Sequence, residues 1–593
     1  MSPTIAIRDI RTGGWVRSSK PIATIRADRL DDVRSALQEL DQQVARDRLY
    51  AVGFITYEAS PAFDSALSAV SGETQTSPQL PYVYFGLFDR LEPFQFPTRA
   101  ATTYELSPWQ ADISAEQFGS SITRIKQYIK QGDTYQVNFT FRQRSQFEGD
   151  PWPLFVKLVN AQDTPYCAYI DTDEFAVCSA SPELFFKQVG NEIELRPMKG
   201  TVARGRTLAE DADNQLWLQQ SSKDRAENLM IVDMIRNDVS HIASLGSVRV
   251  PSLFDIERYP SIHQMTSTVR ASARASLWET LQALFPCASI TGAPKVRTMA
   301  IIRELETSPR NLYTGSIGLI DPDGSMQFNV AIRTVSIDKR TGNAEYGVGS
   351  GIVWDSESDR EFAECLEKTK VLTHRLPEFD LLESLLWTPD DGYSLLSEHL
   401  ERLQQSARYF DIPLTLEAVR ERLQQAALPL EVPSKVRLTV SRAGDIGITT
   451  QELGAPVRSP VSLAIAADPI SSSEVFLFHK TTHRAIYERH RATFPDAHDV
   501  VLWNEHGQVT EGCWGNIAAW IDGVWVTPPI RCGVLAGVYR RQLLEQGRLQ
   551  ERAISMAELV QCDRLAWFNS VRGWHDAVVL SDEGMAEDSL PSA

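Results

Sequence analysis

Asp224 and Glu227 stand three residues apart, as do Glu361 and Glu364. On a helix that interval places both members of a pair on one face. Four carboxylates brought together repel unless a cation sits among them, and oxygen-only donors suit Mg2+. The same pairs also fit solvated helix faces, as Glu367, Lys368 and Lys370 beside the second pair suggest. Lys199 follows the strand-like run Glu192–Arg196, within Pro197-Met-Lys-Gly-Thr201. Exposed, it is an ordinary surface lysine; buried, it can lose its proton and act as a nucleophile. Glu183, in Ser181-Pro-Glu, is then its acid–base partner. Gly347-Val-Gly-Ser-Gly351 is either a tight turn or a stretch whose backbone N–H groups can approach an anion.

The second half carries a different set. Arg402 lies on an amphipathic pattern, Glu398–Phe410, whose inward side is Leu400, Leu403 and Ala407, and its spacing alone fits a solvated helix position. Lys480 follows the apolar run Val475–Phe478, and Glu511 and Asn516 follow in Val509-Thr-Glu-Gly-Cys-Trp-Gly-Asn516. Gly533-Val-Leu-Ala-Gly537-Val538-Tyr539-Arg540 reads as a turn entering a helix, where free N–H groups receive a phosphate. A lysine, an arginine, a carboxylate and a helix start are the parts a pyridoxal phosphate site requires.

The elements that must hold these groups are partly visible. Ser114 precedes Glu116 and Gln117, then Phe118, Ile122, Ile125 and Ile129 recur at helical spacing until Gly132. Strands are expected at Leu49–Ile55, Tyr166–Ile170, Phe175–Ser179 and Lys435–Ser441, and a loop at Ser71–Pro81. Helices are expected from about Asp224 to Arg236 and from Asp359 to Leu372. Pro377 and Glu378 break the pattern, so a boundary falls near 375–380. The expected fold is α/β of the α+β kind, divided into 1–112, 113–376 and 380–593. The last part splits into a small lobe, about 380–466, and a large lobe, about 467–593. No tandem repeat is present.

A chain of 593 residues suggests about three or four domain-sized units. With 43% hydrophobic and 23% charged residues the composition is that of a globular protein. A net charge of -18 argues against nucleic acid as partner, which calls for a basic face. There is no apolar leader and no run of about 18 apolar residues, so no membrane span is expected. Seven scattered cysteines lack metal-ligand spacing and read as reduced packing residues of a cytoplasmic protein.

Ser181-Pro-Glu, Pro197-Met-Lys-Gly-Thr201, the long run Asp224–Asp238, Thr291-Gly-Ala-Pro-Lys295, Ala331-Ile-Arg-Thr334 and Gly349-Ser-Gly-Ile-Val-Trp-Asp355 occur in that order. Over about residues 115–374 the chain resembles the chorismate-utilising enzymes, which include anthranilate, aminodeoxychorismate, isochorismate and salicylate synthases. Lysine at 199 and aspartate at 224 match the aminodeoxychorismate branch. The resemblance implies that Lys199 attacks C2 of chorismate, that Glu183 is the acid–base group, and that ammonia enters at C4. It implies Mg2+ held directly by Glu227 and Glu364, with Asp224 and Glu361 acting largely through water. Ser289, Tyr313, Arg333 and Gly349 match positions that hold the substrate, and His263 one near the leaving group. No Gly-x-Cys-x-Gly elbow occurs, so ammonia is expected from a separate glutamine amidotransferase.

Over about 380–593 the motifs resemble fold-type IV pyridoxal-phosphate enzymes, among them branched-chain and D-amino-acid transaminases and aminodeoxychorismate lyase. The resemblance implies Lys480 as Schiff-base lysine and proton shuttle, and Arg402 with the backbone around Val538 and Tyr539 as phosphate contacts. It makes Glu511 the pyridinium partner, with Asn516 supporting the site, and a homodimer the expected assembly. These residues do not separate lyase from transaminase; the pairing of the two halves favours a lyase that releases pyruvate and leaves 4-aminobenzoate. The rivals are an anthranilate synthase large subunit fused to a transaminase, and a chain in which one half is a non-catalytic scaffold.

Overall fold

The computed structural model describes residues 4–70, 80–372 and 377–580, so most of the expected loop at Ser71–Pro81 lies outside the described residues. The chain forms two compact units: Met1–Ala203 with Asn214–Leu376, and Pro377–Ala593 with the short segment Arg204–Asp213.

The first unit is built on two antiparallel sheets of eleven and ten strands. Strands near the N-terminus are not set apart: Ile5–Arg8 pairs with Tyr166–Asp171, and Tyr50–Ile55 pairs with Ser316–Ile320. Both sheets are apolar on both faces. Ile5, Ile7, Val52, Phe54 and Val177 meet in a core between the sheets. The alternate residues point the other way: Ala6 joins Phe118, Ile122 and Phe155 of helices Ala115–Gln131 and Pro151–Gln162. Ala51 and Ile55 join Leu37, Leu40, Ile231 and Ile235 of helices Val33–Asp47 and Ser222–Ser240. Side-chain alternation along each strand thus feeds three cores, giving helix, sheet, sheet and helix layers.

Helix Ala115–Gln131 shows how local sequence sets an element. Ser114 caps it reciprocally with Gln117, and Gly132 ends it in the left-handed region at φ 79°. Phe118 and Ile125 are fully buried, each worth roughly 1.5–3 kcal/mol.

In the second unit a four-stranded antiparallel sheet, including Leu381–Thr388 and Ser434–Val440, packs against helices Leu396–Tyr409 and Leu416–Ala427. An eight-stranded mixed sheet follows, in which Val461–Ile465 runs parallel to Asp499–Trp503 and Gly573–Val579. Along the chain Lys480 lies between two strands of this sheet, Val461–Ile465 and Asp499–Trp503, and its carbonyl accepts from Leu382 N of the four-stranded sheet at 2.9 Å. All seven cysteines are free and six are buried. Among the described residues no helix is long and apolar enough to cross a membrane.

Candidate active sites

Lys199 lies inside a strand, Met198–Ala203, paired with Ile262–Ser272 through a register shift between Met198 and Thr201. Gly200 sits in that irregularity at φ 97°, and a Cβ there would fall 2.9 Å from the Cβ of Asp224. The missing side chain is what lets the Lys199 strand approach helix Ser222–Ser240. Asn228 of that helix donates to the Lys199 carbonyl at 3.3 Å and accepts from Ser267 Oγ at 2.6 Å. Burial pushes the Lys199 ammonium below the ordinary lysine range, against the opposing pull of Glu227.

Glu183 is 4% exposed and accepts from Ser289 Oγ at 2.6 Å. Burial raises its pKa to about 7, although the Ser289 hydrogen bond and the Lys199 charge both lower it. It is therefore poised to hold or release a proton near neutrality. His263 is fully buried and stands opposite Val202 in the sheet.

The two carboxylate pairs are on helices, Ser222–Ser240 and Ser358–Thr369. Asp224 accepts from Ser221 Oγ and Glu361 from Ser350 Oγ, while Glu364 pairs with Lys368 at 2.8 Å. Burial raises the Glu227 pKa, and Asp224 and Glu361 add to that rise, so these carboxylates share one repulsive field. Among the described residues no three His, Cys, Asp or Glu side chains converge as a metal cage. The oxygen-only donors and their mutual repulsion nonetheless suit a hydrated divalent cation.

Gly347–Gly351 is not a turn. It lies within strand Asn343–Ile352, paired with Gln136–Gly149, and none of its glycines has a positive φ. Its glycines make room instead. A Cβ on Gly347 would fall 2.0 Å from the Tyr313 ring, and one on Gly351 2.5 Å from Lys199 Nζ. Tyr313 rests on the first of these positions with the Arg142 guanidinium 5.2 Å over its ring. The Gly349 carbonyl accepts from Lys368 Nζ at 3.0 Å. Arg333, at φ 53°, turns its guanidinium to Gln162.

In the second unit Lys480, Arg402, Glu511, Asn516, Val538 and Tyr539 line one cavity of about 510 Å3. Burial first, then Arg402 and Arg484, lower the Lys480 pKa to about 7. Glu511 accepts from Tyr487 OH at 2.8 Å and from Asn516 Nδ2 at 3.2 Å, and burial raises its pKa to about 7. Helix Val538–Glu545 starts after Gly537 and brings its first N–H groups to the cavity. Sequence reasoning passed over Glu383, Tyr487 and Arg484. Glu383 was legible as a lone carboxylate in the apolar run Leu381–Leu386; Tyr487 and Arg484 carried no comparable signal. A buried carboxylate, a buried lysine and a helix start in one cavity fit pyridoxal phosphate.

Residues 3–374 match the chorismate binding enzyme family, and residues 380–578 match amino-transferase class IV. Aminodeoxychorismate synthase component 1 of Klebsiella aerogenes is 44% identical over 279 residues, 47% of this chain and 61% of that protein. The same-named protein of Escherichia coli K12 is 40% identical over 272 residues, 46% of this chain and 60% of its own length. The chain thus spans about three-fifths of these relatives. The crystal structure of anthranilate synthase component I from Streptococcus pneumoniae covers 63% of this chain and 91% of its own, with TM-score 0.51 and 22% identity, a likeness of fold. The chain belongs to the chorismate binding enzymes, and joins to that domain a class IV amino-transferase domain.

Proposed function

We propose that the chain makes 4-aminobenzoate in two steps: amination of chorismate to 4-amino-4-deoxychorismate, then release of pyruvate. The observation that carries this reading is a pair of lysines, Lys199 and Lys480, each in its own unit beside its own buried glutamate.

In the first step Lys199 Nζ attacks C2 of chorismate while Glu183 protonates the departing C4 hydroxyl, which leaves as water. Ammonia then bonds to C4 and the lysine is expelled from C2, regaining a free amine. Ser289, Tyr313, Arg333, Gly349 and His263 would orient the substrate. Glu227 and Glu364 would hold Mg2+, with Asp224 and Glu361 acting through its waters, and the ion would neutralise the ring carboxylate. The ammonia is supplied by a separate glutamine amidotransferase.

When bound, pyridoxal phosphate supplies an electron sink next to the substrate's amine-bearing carbon. Arg402 and the helix start at Val538 and Tyr539 would bind its phosphate, and Glu511, steadied by Asn516, its ring nitrogen. Lys480 removes the proton from the amine-bearing carbon, and pyruvate departs as the ring becomes aromatic. A cytoplasmic homodimer, joined through the second unit, belongs to the same proposal.

The test is incubation of the full chain with chorismate, ammonium and Mg2+, followed by assay of 4-aminobenzoate and pyruvate. Formation of 2-aminobenzoate instead would overturn the first step, and stalling at the amino intermediate in the presence of pyridoxal phosphate the second.

A further inference from the structure

Gln136 opens the strand Gln136–Gly149 and is 2% exposed. Its amide head reaches the gap left by Gly351: a Cβ there would lie 2.2 Å from Gln136 Nε2 and 2.5 Å from Lys199 Nζ. The amide and the amine therefore border the same gap, where this strand pair carries no side chain. Gln136 Oε1 is buried and finds no hydrogen-bond partner. The amide nitrogen thus borders the gap beside the amine while its oxygen is stranded, which is costly in a buried position. Oxygen and nitrogen of an amide fill the same envelope, so a half-turn of the head exchanges them at little steric cost.

We propose that Gln136 is the positioning residue of Lys199: its amide oxygen accepts a hydrogen bond from Nζ and aims the amine's lone pair at the substrate. The proposal rests on the reading of Lys199 as nucleophile. A lysine side chain has four rotatable bonds, and attack requires its lone pair on the line to the reacting carbon. The other acceptors around it, Glu183, Glu227 and Glu364, are carboxylates, which favour the charged and unreactive ammonium. A neutral amide oxygen holds the amine without demanding that charge. Gly351 is then required as glycine, because any side chain would fill the meeting point.

Two measurements test this. A crystal structure of the full chain, refined finely enough to separate amide oxygen from nitrogen, is expected to show Gln136 Oε1 within about 3.2 Å of Nζ. Nitrogen facing Nζ, or an amide swung out of reach, would overturn the proposal. In the amination assay Gln136→Leu, which keeps the bulk and removes the acceptor, is expected to lower kcat roughly tenfold to a hundredfold, leaving KM for chorismate within about twofold. A raised KM at unchanged kcat would mark Gln136 as part of the pocket wall alone and overturn it too. If the wild-type chain makes no 4-amino product, the amination reading falls, and the amide's orientation in the crystal still decides the hydrogen bond.

Discussion

Arg402 closes a fork on Glu383: Nε donates to Oε1 at 2.9 Å and Nη2 to Oε2 at 2.6 Å. His399 Nδ1 lies 2.7 Å from the same Oε2, and the glutamate is 1% exposed. The third guanidinium nitrogen, Nη1, donates to the Ala536 carbonyl at 3.0 Å, one residue before the cap of helix Val538–Glu545. A buried carboxylate therefore fixes the cation at the end of the cavity where an anion would bind.

The first prediction concerns that pair. Burial alone would raise the Glu383 pKa, but Arg402 and then His399 draw it down from 4.5 to about 2. A depressed carboxylate stabilises the fold fully above its unfolded pKa and loses that contribution as pH falls toward the folded value. Glu383→Gln should cost about 3 kcal/mol at pH 7, as expected for breaking a buried pair. The gap between variant and wild type in urea unfolding should close as pH falls from 4.5 toward 2. A gap that does not change with pH would contradict this account.

A second prediction concerns Lys480, whose pKa is lowered to about 7 by burial, then by Arg402 and Arg484. Covalent attachment of pyridoxal phosphate, counted as a mass shift after borohydride reduction, should have its acid limb near pH 7. An unperturbed lysine would place that limb near 10.5. Lys480→Ala should abolish attachment and pyruvate release while chorismate consumption continues. Loss of both activities would contradict two independent sites.

The sequence made the periodic elements readable, because helix Ala115–Gln131 and the strand Tyr50–Ile55 follow from local pattern and caps. It placed Lys199 after a strand but did not show that a second strand begins at Met198, since that strand forms only by pairing with Ile262–Ser272. It left Gly347–Gly351 open to a tight turn, because glycine in a turn and glycine giving space to a neighbour look alike in one dimension. The neighbours here, Tyr313 and Lys199, are far away along the chain. Gln136 escaped notice for the same reason: its neighbourhood is set by tertiary packing.

The third prediction is a pH profile. Glu183 is protonated below about 7, a value set by burial and moderated by Ser289 and Lys199. If it acts as the acid that releases the C4 hydroxyl, amination at fixed free ammonia should decline above pH 7. Ser289→Ala removes a hydrogen bond that lowers this pKa, so the decline should move to higher pH. Glu183→Gln should lower kcat by about 100- to 10,000-fold, the usual contribution of a positioned acid–base group. A profile that ignores Ser289→Ala would assign the limb to another group.

The fourth prediction tests the floor of the second cavity. Gly537 caps helix Val538–Glu545 at ordinary φ, so alanine there meets no backbone strain, only space. A Cβ would fall 1.9 Å from Asn516 Oδ1 and 3.4 Å from Arg540 Cβ. Asn516 is 6% exposed and donates to Glu511 Oε2 at 3.2 Å and to the Leu535 carbonyl at 3.3 Å, so it cannot withdraw without breaking those bonds. Either the helix start retreats from the phosphate position or Glu511 loses a donor; both weaken the grip on an anionic cofactor. Titrating the cofactor-free chain with pyridoxal phosphate should show Gly537→Ala binding roughly tenfold to a hundredfold more weakly, a loss of one or two good hydrogen bonds. Chorismate consumption should be unchanged, because Gly537 and Lys199 belong to different units. Unaltered cofactor affinity would mean that the helix start does not bear on the phosphate.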